Sequence, residues 1–385
     1  MKFGTKIICI NPEKPVKQAG FIQQVDPISE VHDDLNVRVV VFDDVDMVVL
    51  VSMDNIGGSL EFQDKIEAEM SEHFGKKVDL VISATHTHFG GSPLDDDYRE
   101  FLYQKIIEGI TSVELKEYND LSYTYQYEAF NEVGKSRISK QETDLIFIEL
   151  VSIYGNQERL ANLMIYNCHP TIMSGAETHF FSAEYPGYAM NKLGANHQGE
   201  FFTFMQGADG DVSTRFTRKS QDYAGVTDLG NKFVAKIEEF LEQDLTPKPI
   251  KLSFDKEVLP LVHEVIDLET LEIPDDLDAR ELETIEYGKL AREKVLENID
   301  QLPKSIVISR ISFGDYHIIF APNELFSYYL KAIDKEKASL VCYSNGYGRY
   351  VTGMGGQRIT YELFTDTYTM DTKKAMFDLL HKMSQ

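Results

Sequence analysis

No tryptophan occurs in this chain, and cysteine is nearly as scarce: Cys9, Cys168 and Cys342 are the only three in 385 residues. They form no CxxC pair, so a disulfide framework is not expected and a reducing compartment is. Long hydrophobic runs are missing too. The first apolar segment, Ile7–Ile10, is far too short for the core of a secretory signal, and no stretch approaches the ~20 residues of a membrane-spanning helix. The expectation is a cytoplasmic protein without stable membrane anchoring. Positive charge is also in short supply: 38 basic residues stand against 63 acidic ones, a formal charge of −25. Such a surface repels phosphate backbones and anionic lipid, which disfavours nucleic acid as a partner. Internal repeats, low-complexity tracts and Pro/Ser-rich linkers are absent, and nothing in the sequence reports an oligomeric state.

What is present suits a large folded core. Hydrophobic residues make up 43% of the chain and charged residues 26%, ordinary values for a globular protein. Strand patterns read at 7–10, 37–42, 47–53, 78–82, 144–153, 158–167, 201–204, 306–311, 317–320 and 340–343. Between them lie helical patterns. Phe62, Ile66, Met70 and Phe74 recur every four residues, and Leu229, Phe233, Ile237 and Leu241 do the same. Further helices are predicted from Tyr98 to about Leu115 and from Leu325, and a polar loop after Thr171. Strands and helices interleave throughout, which predicts one α/β domain over 1–385. Its core would be a mixed β-sheet, two packed sheets flanked by helices, with 268–302 an acidic helical excursion.

The chemistry concentrates where predicted strands end. Val78–Ile82 runs into Ser83-Ala84-Thr85-His86-Thr87-His88-Phe89-Gly90-Gly91. If the strand continues through the histidines, period-two geometry puts both imidazoles on one face, as paired metal ligands or as loop-bonded side chains. Imidazole suits zinc, and strand ends leave room for ligands from other segments. His169 ends another strand in Asn167-Cys168-His169-Pro170-Thr171, with Cys168 turned to the core. Gln206-Gly207-Ala208-Asp209-Gly210-Asp211-Val212-Ser213 is either a capped Asx turn or a glycine turn offering N–H groups to an oxyanion, with Ser213 as nucleophile. Glu324 in Pro322-Asn323-Glu324 places a carboxylate at a strand end, and Asn345-Gly346-Tyr347-Gly348-Arg349-Tyr350-Val351 follows.

These motifs, in this order, with Ser182-Ala183-Glu184-Tyr185-Pro186-Gly187-Tyr188 and the early His32-Asp33-Asp34-Leu35-Asn36-Val37-Arg38, resemble the catalytic domain of the neutral, non-lysosomal ceramidases. The resemblance runs from about residue 5 to 365. It implies a zinc-dependent amidase, with Zn2+ held by His86, His169, Glu324 and Tyr350. It further implies that Ser213 is the essential serine and that His88, Arg137 and Tyr361 surround the scissile amide. His179, His197 and His263 match nothing in the pattern. The chain departs from the family at Phe89-Gly90-Gly91, at Asn323 and at Thr214-Arg215, and no immunoglobulin-like C-terminal domain is read. With charge −25, no tryptophan and Phe89 expected at the pocket mouth, a small soluble N-acyl substrate is expected in place of ceramide. An esterase or lactonase on the same site, or a non-catalytic metal-binding protein, are the alternatives.

Overall fold

A computed structural model describes residues 1–20, 26–174, 179–264, 277–355 and 360–385. Its largest elements are three β-sheets, whose strands send alternate side chains to opposite faces as period-two geometry requires. The first sheet runs, in spatial order, Val78–Ala84, Met47–Met53, Asn36–Asp43, Lys2–Cys9, Lys116–Glu117. The second runs Phe201–Gln206, Glu158–Tyr166, Phe147–Gly155, Ser122–Ala129, Lys248–Pro249, and the third Leu252–Pro260, Ser305–Phe313, His317–Phe320, Ala338–Val341. Two short pairs complete the set: Lys135–Ser136 with Val212–Ser213, and Glu324–Leu325 with Tyr350–Val351.

All three sheets share a central core. Val40, Phe42 and Leu50 from the first meet Val151, Leu163 and Ile165 from the second and Ile311, Phe313 and Phe320 from the third. The intervening residues Val37, Val39 and Val41 face outward onto Ile66 and Met70 of helix Leu60–Phe74 and Leu102 and Ile106 of helix Asp96–Thr111. On the second sheet Ile148, Leu150, Met164 and Phe204 lie under Leu193, Leu229 and Phe233 from helices Glu184–Asn196 and Tyr223–Leu241. Each large apolar side chain so buried contributes roughly 1.5–3 kcal/mol. The expected mixed α/β fold with packed sheets and flanking helices is what forms, and the third sheet enlarges its core.

Local signals explain the helix limits. Ser59 accepts from Phe62 N at 3.1 Å, and Gly75, in the left-handed region at φ 64, closes Leu60–Phe74, a capped start and a glycine stop. Two expectations fail. The stretch after Thr171 is not loop throughout: Glu184–Asn196 is a helix with Pro186 in its first turn, where proline's missing N–H has no helical partner to lose. Leu325 starts no helix. It belongs to the short strand with Val351, and a 3-10 turn follows over Ser327–Ala332. Of the acidic stretch 268–302, residues 268–276 lie outside the described ones. The remainder forms helix Ala279–Glu297, with a capping box at Asp278 and Glu281, whose Ile285 packs on Leu363 and Phe364.

Each of the three large sheets holds one parallel strand pair: Met47–Met53 with Val78–Ala84, Glu158–Tyr166 with Phe201–Gln206, and His317–Phe320 with Ala338–Val341. Their carboxyl ends are stitched together. Ala84 N donates to Tyr343 O at 3.1 Å, Cys342 N to Gln206 O at 2.8 Å and Gly207 N to Tyr166 O at 2.9 Å. Loops leaving one pole of three sheets thereby converge, where open α/β sheets characteristically build sites.

Candidate metal centre

Strand Val78–Ala84 stops two residues short of His86, so alternation does not bring the histidines together. His86 instead adopts φ 62, a left-handed conformation that costs a non-glycine residue about 1–3 kcal/mol. Its ring stacks on Tyr343, centroids 3.8 Å apart at 17°, and its Nδ1–H donates to Ile56 O at 2.9 Å. His88 Nδ1–H donates to Gly20 O at 3.0 Å. A Cβ on Gly20 would sit 2.3 Å from that of His88, so only glycine allows this approach. His169 Nδ1 faces Asp209 O at 3.0 Å and Asp209 Oδ2 at 2.9 Å.

An Nδ1 facing a carbonyl oxygen carries a proton, which leaves Nε2 as a lone-pair donor in neutral His86 and His88, and in His169 once its second proton is displaced. The three rings lie 4.9, 5.0 and 5.8 Å apart, and one ligand atom from each falls within a group 4.8 Å across. The Nε2 atoms of His86 and His169 are buried without a hydrogen-bond partner. Glu324 Oε2 stands 3.7 Å from the first and 3.5 Å from the second. Ligands about 2.0–2.1 Å from a tetrahedral zinc lie roughly 3.3 Å from one another, so these residues fit a metal ion of that kind.

Burial lowers His86 and, together with its two histidine neighbours, lowers His88 further. For His169 burial is outweighed by Asp209, and the ring is raised to about 9. Glu324 is held down at about 2 against burial by His86 and His169. Since His86 is itself lowered, the charged partner is His169. Its proton is the one a bound cation would displace.

Glu324 and Tyr350 are Cα partners in their two-residue strands, so their side chains share a face. Tyr347, its ring half exposed, donates to Glu324 Oε1 at 2.5 Å. Arg137 lies beside Tyr350, donates through Nη2 to Gly210 O and pairs with Glu362 Oε1 at 3.0 Å. Tyr361 packs edge-on against Tyr350 at 6.2 Å. Ser213 forms a parallel bridge with His169, whose N–H donates to Val212 O at 3.2 Å. Its hydroxyl accepts from Arg215 N at 3.4 Å and caps a 3-10 turn.

The structure thus gathers buried His86, His169 and Glu324 and half-buried His88 into one cluster. Tyr350 pairs with Glu324 in the backbone, Tyr361 and Arg137 lie beside Tyr350, and Ser213 lies beside His169 in the backbone. Phe89 is not at the mouth; it is wholly buried in the core of the second sheet. His197 is occupied by Glu238, and His263 by Thr367 and Pro303 O. Sequence reasoning missed Asp209 as the partner of His169, and it gave Tyr343, Tyr347 and Glu362 no role. Only Asp209, inside an already suspect glycine turn, had a signal that could have found it.

These features define a mixed α/β protein with a buried histidine–carboxylate centre able to hold a metal ion. Neither a protein-family model nor a curated protein matches the sequence. Solved structures do. Neutral ceramidase from Pseudomonas aeruginosa superposes with a TM-score of 0.77 at 16% identity, covering 100% of this chain and 74% of that one. A second, described as ceramidase complexed with C2, gives 0.77 at 15% identity with the same coverage. The chain has the fold of these ceramidases, as the ordered motifs implied. Among the described residues no helix is long and apolar enough to cross a membrane.

Proposed function

We propose that this chain is a zinc-dependent amidohydrolase acting on a small N-acyl amide, with His86, His169, Glu324 and Tyr350 holding the metal. The observation that carries this is the pair of buried, unpartnered Nε2 atoms facing one carboxylate oxygen. An unpartnered buried polar atom costs about 1–3 kcal/mol, a cost that a cation held by His86, His169 and Glu324 would remove. Zinc bound there would supply Lewis acidity toward an acyl carbonyl.

The chain's own groups do the rest. His88, neutral at neutral pH because burial lowers it, accepts the proton that leaves the nucleophile. Ser213 attacks the carbonyl or orients the attacking water, and a burst of acyl-enzyme separates the two. Arg137 is balanced by Glu362, so its buried, unpartnered Nε suits a neutral carbonyl oxygen better than an anion. Tyr361 adds a phenol donor. The net charge of −25 and the absence of tryptophan argue for a soluble substrate in place of a membrane lipid.

The test is metal analysis of the purified protein. It is then assayed on N-acyl amides of increasing chain length, an ester, a lactone and long-chain ceramide in micelles. One zinc per chain, turnover of short amides and inactivity of a zinc-replete Ser213→Ala are expected. A chain that takes up no zinc is not this hydrolase. Ceramide cleaved as efficiently as short amides refutes the substrate assignment.

A further inference from the structure

Tyr343 touches the support of three donors at once. Its ring is stacked on His86 at 3.8 Å. Its hydroxyl donates to Asp209 Oδ1 at 2.5 Å, and the other oxygen of that fully buried carboxylate is 2.9 Å from His169 Nδ1. The same hydroxyl is 3.3 Å from Glu324 Oε2. Its single proton is directed to Asp209, so Oε2 keeps its lone pairs facing the histidines, while Tyr347 caps Oε1. Glu324 is left with one oxygen for a cation.

The backbone supports the same conclusion. Tyr343 and His86 sit at φ 52 and 62, two left-handed non-glycine residues stacked on one another across the meeting of two sheets. Sheet pairing by itself has no need of such turns. Their strain is held by the bond from Ala84 N to Tyr343 O and by that from His86 Nδ1–H to Ile56 O. Strain retained at converging donors is a mark of preorganisation.

We propose that Tyr343 is a positioning residue that sets the spacing of His86, His169 and Glu324 for the metal, acting on His169 through Asp209. The proposal rests on the metal reading above. Supports behind metal-bound histidines typically alter affinity 10–100-fold, and Tyr343 supports two of them.

The experiment measures zinc affinity by chelator competition in the full chain, wild type against Tyr343→Phe, Asp209→Asn and the double variant. The cobalt(II) visible spectrum and the melting temperature of the metal-free proteins are recorded alongside. Tyr343→Phe keeps the stacked ring and removes only the hydroxyl. It is expected to weaken zinc 10–100-fold and alter the cobalt spectrum, with the metal-free protein still folded and its melting lowered only as far as the unpartnered Asp209 oxygen requires. The double variant should bind no worse than Asp209→Asn, because both changes break one path. Wild-type affinity in Tyr343→Phe overturns the brace and leaves the metal reading intact. Additive losses overturn the route through Asp209. A wild type that takes no zinc overturns both. Should Tyr343→Phe fail to fold, Asp209→Asn decides: undiminished zinc affinity there overturns the proposal, and a 10-fold or greater loss upholds the shared path.

Discussion

Replacing Glu184 by glutamine should abolish a pH dependence built into the fold. Glu184 is fully buried at the first position of helix Glu184–Asn196, where its Oε1 accepts from Ile172 N at 2.5 Å and Met173 N at 3.0 Å. The loop so held follows directly from His169. Its Oε2 is buried without a partner. Burial pushes the carboxyl from 4.5 up to about 8, against the two N–H bonds that favour the charged form. The folded protein therefore keeps the proton through a range in which the unfolded chain releases it. The resulting stability is complete below about pH 4.5 and is lost as pH rises to about 8. At ~1.36 kcal/mol per pKa unit the loss across that window is roughly 5 kcal/mol, a slope of about 1.4 kcal/mol per pH unit. Glutamine keeps the oxygen that accepts both N–H bonds and has no proton to lose. Urea unfolding of metal-free wild type and Glu184→Gln between pH 5 and 8 tests this. The variant should gain on the wild type steadily as pH rises. His169, raised to about 9 and lost in the same direction, is common to both proteins and cancels. Parallel stability curves would refute the reasoning.

Removing a donor should empty the centre: His169→Ala is expected to lose zinc by metal analysis while keeping its far-UV circular dichroism. Asp54→Ala strands Arg38, which is 2% exposed and paired to Asp54 at 2.8 Å. It should cost about 3–5 kcal/mol of unfolding free energy, because a buried charge loses its partner. Gly20→Ala drives a methyl into His88, 2.3 Å from its Cβ. It should lower kcat well beyond tenfold with zinc content retained, in a side-by-side assay and metal measurement.

Most strands and helices were legible because their signals are local. Val39 and Val41 alternate with Val40 and Phe42, and Leu229, Phe233 and Ile237 repeat at helical spacing. Both periodicities survive into the structure as buried faces. Helix Glu184–Asn196 falls in the stretch read as a polar loop, and Pro186 sits in its first turn, where proline is tolerated. The site residues at strand ends were likewise visible, since His86, His88, His169 and Glu324 carry chemistry by residue type.

By itself the sequence determined that histidines and a carboxylate follow predicted strands, and a charge that disfavours nucleic acid. Only the tertiary structure decided how they meet. A left-handed turn at His86, not strand alternation, aims the first ring. Phe89, adjacent to the histidines in sequence, goes to the core of the second sheet. Asp209 and Tyr343 become the supports of His169 and His86 because three sheets close at one pole. Residues 134 apart in sequence bond there at 2.5 Å. No local periodicity encodes such a contact, because its partners are chosen by which sheet edges pack together, and that is settled by burial over the whole chain.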